Sequence, residues 1–251
     1  MIKKHYSNTY IRGIYYLLVA FFDYCVTFQN LEFNTCRLVG SVVNTENEIK
    51  KDNYYTEKEF KKFIKKVDNN IYKLFFRFMF FTGVRPGEAM ALKFSDIKKD
   101  IVYINKTISE HHIDGQRVVT TPKTKSSNRI IRIPKILAYQ INKLEMYYQN
   151  KYNMKYNFYV FGGIKPLAPT TINRYKLAAC KKANIKPITL HGFRHSHATM
   201  LLDHNLSIKA ISNRLGHSKT STTTSIYLHE TEKQQKRVQR TLNFAILFCF
   251  R

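Results

Sequence analysis

Residues 72–97 read YKLFFRFMFFTGVRPGEAMALKFSDI, and their pattern decides the fold. The stretch 72–81 is dense in aromatic side chains. A segment that is apolar nearly all round belongs in the core as a helix. Gly83 stops that helix, because a left-handed C-terminal residue costs glycine little. Pro86 then opens a second, short helix, with Gly87 and Glu88 behind it. Arg85 is caught between two glycines immediately before that helix, so a tight turn holds it. By itself such an arginine reads as a surface cation paired with Glu88.

Upstream, Thr56-Glu57-Lys58-Glu59 has the form of a capping box and starts a helix that runs to Ile64. The stretch 44–55 is polar and non-periodic, which predicts a linker. Residues 5–40 read as one or two helices. Within them Ile11, Ile14, Leu18, Phe21, Cys25 and Phe28 fall at three-to-four spacing, which predicts a buried amphipathic helix. Its apolar run, 14–22, is short of the roughly 20 residues that span a bilayer. Asp23 follows at once, without a small-x-small cleavage site, so an export signal is not expected.

Downstream, residues 101–104, 117–119 and 129–133 read as strands. Asp114-Gly115 signals a hairpin turn, and 122–128 forms a polar Lys/Thr/Ser tip. Helical blocks follow at 135–149, 170–183, 190–204, 207–215 and about 221–240. The predicted class is mostly α (α+β), a helical domain carrying one small antiparallel sheet.

The 251 residues include 42 Lys+Arg and 17 Asp+Glu, a formal net charge of +25. With 44% hydrophobic and 24% charged residues this is a folding composition rather than a disordered basic tail. Such a charge calls for a polyanionic partner, with nucleic acid ahead of an anionic membrane surface. Cys25, Cys36, Cys180 and Cys249 form no CxxC pair, which argues against a disulfide scaffold and for a reducing cytoplasm.

Three segments could carry chemistry. The segment 81–97 contains Arg85. In 189–202, TLHGFRHSHATMLL, His191 and Arg194 lie three apart on one face near a helix N-terminus, a good place for a phosphate. His195 and His197 read as residues that cap the helix and fill a polar core. His191 and His195 have the spacing of an HExxH pair, but no glutamate intervenes and no carboxylate is near, so no metal is expected. The third segment holds Leu215-Gly216-His217-Ser218 and, ten residues past His217, Tyr227. Alone, a tyrosine among 17 reads as a packing residue.

Together the motifs TGxRxGE, HxxR, LGH and a following tyrosine, in that order, resemble the tyrosine recombinases, or phage integrases, of Gram-positive phages and mobile islands. The resemblance covers about residues 54–230. It implies the tyrosine recombinase catalytic fold at 56–240, preceded by part of a helical core-binding domain at 1–43 and the linker at 44–55. It implies that Arg85 and Arg194 clamp the scissile phosphate, that His191 and His217 are accompanying donors, and that Tyr227 is the nucleophile. His191 would also be the base for Tyr227. The hairpin lysine would be Lys123, in preference to Lys125, and would protonate the leaving 5′-oxygen. The implied partner is double-stranded DNA at attachment sites, bound by a homotetramer with an accessory DNA-bending protein and an excision factor. No membrane, metal or cofactor is implied.

Two features depart from the family pattern. The expected preceding core-binding helices have no counterpart before residue 1, which suggests a shortened N-terminus. The tail 241–251 ends in an apolar run where the family has a polar helix. Two other functions fit parts of the pattern. Residues 208–227 have the rhythm of a helix-turn-helix, as in a DNA-binding regulator without catalysis. A type IB topoisomerase would use the same Arg-Arg-His-Tyr chemistry.

Overall fold

The structure is a computed structural model, and it describes residues 6, 8–41, 53–113, 116–120, 128–153 and 157–216. The chain divides into two compact units, residues 1–52 and 53–251.

The first unit contains α1 (Asn8–Phe28) and α2 (Thr35–Val39). Asp23 ties them together. Its carboxylate accepts from Asn34 at 2.8 Å and from Arg37 Nε and Nη2 at 3.0 and 2.7 Å. Hydrogen bonds from Arg37 and then Asn34 hold the Asp23 carboxyl down to about 2. The apolar periodicity gives a helix as predicted, but the expected burial is absent. None of the helix's described residues is buried, and Leu17 and Phe28 are 72% and 66% exposed. The apolar segment is also longer than the 14–22 run suggests. Tyr10–Phe28, 19 residues with a mean hydropathy of 1.4, is long and apolar enough by length and composition to cross a membrane.

The second unit begins earlier than the sequence suggests. Tyr55, placed in the linker by its polar neighbours, is 1% exposed and packs edge-on against Phe193. Thr56 and Glu59 form the predicted capping box at the head of α3 (Glu57–Lys65). The aromatic helix is α4 (Asn70–Thr82), and it buries Leu74, Phe75, Phe76, Phe78, Met79 and Phe80. Its rings stack on neighbours, with Phe80 against Phe60 at 3.7 Å and Phe76 against Phe193 at 5.3 Å. Burial of this many aromatic side chains, each contributing about 1.5–3 kcal/mol, makes α4 the spine of the core.

After α5 (Pro86–Ala91) come β1 (Ile97–Lys98), β2 (Ile101–Ile104), β3 (Thr107–Ile113), β4 (Gln116–Thr120) and β5 (Arg129–Arg132). They are the small antiparallel β element expected, in two parts. Among the described residues β1-β2-β5 is one antiparallel sheet and β3-β4 a separate antiparallel pair. Helices α6 (Lys135–Tyr152), α7 (Pro169–Ala183), α8 (Leu190–Asp203) and α9 (Ile208–Leu215) complete the described unit.

Candidate active site

The turn between α4 and α5 holds Arg85 through three local features. Gly83 ends α4 with φ +67°, and a Cβ there would lie 2.5 Å from the His197 ring and 2.7 Å from Leu215. Only glycine lets α4, α8 and α9 meet at this point. Pro86 occupies the first turn of α5. Gly87 removes a side chain that would strike the Ile108 carbonyl at 2.8 Å, so α5 can lie against β3. Arg85 then donates its backbone N–H to Glu88 Oε2 at 2.8 Å and Nη1 to Glu88 Oε1 at 2.9 Å.

The N-terminus of α8 is fixed from far along the chain. Thr189 caps it by accepting from the Gly192 N–H at 3.0 Å. Asn53, 136 residues away, donates to Thr189 Oγ1 at 2.8 Å and accepts from its N–H at 2.9 Å. The Tyr55 N–H donates to Ser196 Oγ at 2.9 Å. This strap sets the rotation of α8, and with it the directions of His191 and Arg194.

The C-terminal end of α9 is where the pieces converge. A helix leaves its last carbonyls without intrahelical donors, and here guanidinium groups supply them. Arg194 donates Nη2 to the Leu215 carbonyl at 2.8 Å and Nη1 to the Gly83 carbonyl at 2.9 Å. Arg85 reaches the Gly216 carbonyl with Nη2 at 3.3 Å. Arg129, at the start of β5, donates Nε to the Arg214 carbonyl at 2.9 Å, and Nη1 and Nη2 to the two oxygens of Glu88 at 3.0 and 2.8 Å. Arg214 donates Nε to His197 Nε2 at 3.0 Å, and His197 Nδ1 lies 2.8 Å from the Phe80 carbonyl. Arg214 donates through Nε, so the ring accepts at Nε2 and donates at Nδ1.

Two of these four arginines, Arg85 and Arg129, share the one carboxylate of Glu88. Burial alone would raise the Glu88 pKa, but bonds and charge from Arg129, and then from Arg85, hold it below the ordinary value. The remaining positive charge suits an anion. His191 reaches solvent, yet protein packed around the ring and then the charges of His195, Arg194 and Arg85 push its pKa down to about 4. His197, 1% exposed, is driven down to about 3 by burial and then by Arg214.

The structure therefore brings Arg85, His191 and Arg194 together across two helices and a turn. The pairing of Arg85 with Glu88 is present, and it coexists with a side chain 36% exposed. Arg194 is 2% exposed, more enclosed than its motif alone suggests. His197 fills a polar core as read, but the helix cap is Thr189 rather than a histidine. Lys123, Lys125, His217 and Tyr227 lie outside the described residues, as do Asp114-Gly115 and the tail 241–251. Sequence reasoning missed Arg129, Arg214 and Asn53, whose partners lie 41, 17 and 136 residues away.

Residues 53–234 match the phage integrase family, and that match starts at the boundary of the second unit. The ICEBs1 integrase of Bacillus subtilis strain 168 is 33% identical over 251 residues, covering 97% of this chain and 67% of that protein. A XerC-like tyrosine recombinase of Caldanaerobacter subterraneus subsp. tengcongensis is 28% identical, covering 96% of this chain and 70% of that protein. Among solved structures, the Tn1549 transposon integrase in complex with circular intermediate DNA shares the fold, with a TM-score of 0.75 at 18% identity over 96% of this chain and 82% of that one. The chain belongs to the phage integrase family of tyrosine-type site-specific recombinases.

Proposed function

We propose that this chain cleaves and rejoins double-stranded DNA at attachment sites through a 3′-phosphotyrosine on Tyr227, integrating or excising a mobile element in the cytoplasm. The observation that carries the reading is the convergence of Arg85 and Arg194 on the same end of α9, beside His191.

A phosphodiester is already an anion, and its pentavalent transition state gathers more charge on the non-bridging oxygens. Preorganised guanidinium donors stabilise that developing charge, and their planar forks can hold two oxygens at once. Arg85 meets the phosphate with its exposed edge. Arg194 meets it by trading a carbonyl for a phosphate oxygen. His217, the residue after Gly216, adds a further donor. Free tyrosine has a pKa near 10, so Tyr227 needs a base. His191 is neutral at pH 7 with its pKa near 4, and a bound phosphate raises its proton affinity. Tyr227 gives its proton to His191 as its oxygen bonds to phosphorus. The P–O5′ bond breaks, and Lys123 protonates the leaving oxygen. The phosphotyrosine conserves the bond energy for attack by a second duplex's 5′-hydroxyl. This route uses no ATP, metal or cofactor.

Exchange between two duplexes uses four protomers, with an accessory bending protein and an excision factor as partners. Residues 1–43 serve as part of a core-binding region. Two assays test the function. A two-site recombination assay yields recombinant product, while plasmid relaxation without recombination would point to a topoisomerase. With about 8 phosphate contacts, log affinity falls against log salt with a slope of about −7.

A further inference from the structure

Arg129 sits outside every recombinase motif in the chain, yet it is 7% exposed and joins three elements. It begins β5, bonds both oxygens of Glu88 on α5, and bonds the Arg214 carbonyl in the last turn of α9. We propose that Arg129 is a positioning residue for cleavage: it sets the place of Arg85 through Glu88, and the place of the α9 carbonyls that hold both phosphate-binding arginines.

The geometry of Glu88 explains why a second arginine is needed. Its Oε1 accepts from Arg85 Nη1 and Arg129 Nη1, and its Oε2 accepts from the Arg85 N–H and Arg129 Nη2. The carboxylate is 2% exposed and shared between two cations. Sharing keeps it from drawing the Arg85 fork fully inward, so Arg85 retains donors and charge for a substrate anion. Without Arg129, Glu88 would turn to Arg85 for all its compensation. Arg85 would be pulled away from the phosphate, and the Arg214 carbonyl would lose its donor. Lysine keeps the charge but has no planar fork, so it cannot hold both Glu88 oxygens and the Arg214 carbonyl together.

The proposal rests on the reading of Arg85 as a phosphate ligand, and the experiment separates the two. Single-turnover adduct formation by the full chain is measured on an attachment-site duplex with either a normal or a methylphosphonate scissile linkage. The methylphosphonate is neutral at phosphorus and no longer depends on a cationic clamp. Arg129→Lys should cleave the normal linkage on the order of 30–100-fold more slowly, as for a small misplacement of a catalytic group. On the methylphosphonate it should stay within about 3-fold of wild type, because the displaced group is no longer required. DNA affinity should be unchanged.

Equal loss on both linkages, or no loss on either, overturns the proposal. Arg85→Ala on the same pair is the control. If it also loses equally on both, Arg85 is not a phosphate ligand and the proposal falls with that reading. If Arg85→Ala spares the methylphosphonate and Arg129→Lys does not, the positioning role alone is wrong. Should Arg129→Lys fail to fold, the double variant Arg129→Gln with Glu88→Gln removes the unpaired charge. It should fold and still show a selective loss, smaller than about 30–100-fold because a neutral Gln no longer draws Arg85 inward while the Arg214 carbonyl still lacks its donor. An equal loss on both linkages, or none on either, would overturn the proposal.

Discussion

The open edge of the site and its packed floor are built from the same residue types, and they behave differently. At the edge, Arg85 is 36% exposed and His191 is an exposed residue. At the floor, Arg194 and His197 are 2% and 1% exposed and their polar atoms are taken up by Gly83, Leu215, Phe80 and Arg214. Both histidines have depressed pKa values, led by loss of solvent. His197 has both ring nitrogens engaged and serves as a brace. His191 has its ring against His195 and reaches solvent, so it can take a proton. Environment, not residue type, divides chemistry from architecture here.

The contrast is tested most strongly at the two arginines. Arg85→Ala and Arg194→Ala should each slow cleavage by about 10²–10³, the loss typical of one charge-stabilising donor. Only Arg194→Ala should also lower the melting temperature strongly, because it leaves two buried carbonyls without donors. Comparable melting temperatures for the two variants would break the distinction.

The histidines form the next pair. His191→Asn should slow cleavage by about 10², as for loss of a general base, and leave stability alone. His197→Gln should destabilise the protein by about 1–3 kcal/mol and keep the cleavage rate of the folded fraction within a few-fold. Acid sharpens this further. The folded pKa of His197 is lowered, so the unfolded chain binds the extra proton first. The stability that neutral His197 contributes is present above pH 6.5 and is lost as pH falls from 6.5 toward about 3. The slope of melting temperature against pH over that window should therefore be shallower in His197→Gln than in wild type.

The smallest effect is expected away from the site. The Tyr148 hydroxyl is buried with no hydrogen-bond partner among the described residues, and burial pushes its pKa up. Tyr148→Phe removes an unsatisfied group and should stabilise the protein by up to about 1 kcal/mol without changing cleavage. A destabilised variant would mean that the hydroxyl has a polar partner in the folded protein.

Local signals were legible and distant ones were not. Thr56 with Glu59, Gly83 and Pro86 each mark a helix end by backbone chemistry confined to a few residues, and the structure places caps and ends there. The apolar spacing of α1 shows a helix, but spacing cannot say what covers an apolar face. Asp114-Gly115 signals a turn, yet nothing local states that β3-β4 stands apart from β1-β2-β5. Asn53 and Tyr55 sit in polar sequence whose partners are on α8, and Arg129 finds Glu88 41 residues away. The motifs for Arg85, His191 and Arg194 were readable as residues that meet, while the braces that hold them required the folded chain.

The central claim is that Tyr227 is the nucleophile at the phosphate held by Arg85 and Arg194. The direct measurement is covalent capture on an attachment-site duplex nicked beside the cleavage position, read on a denaturing gel. The account predicts a protein–DNA adduct with wild type and none with Tyr227→Phe at equal DNA occupancy. An adduct from Tyr227→Phe, or none from wild type bound to the same DNA, would contradict it.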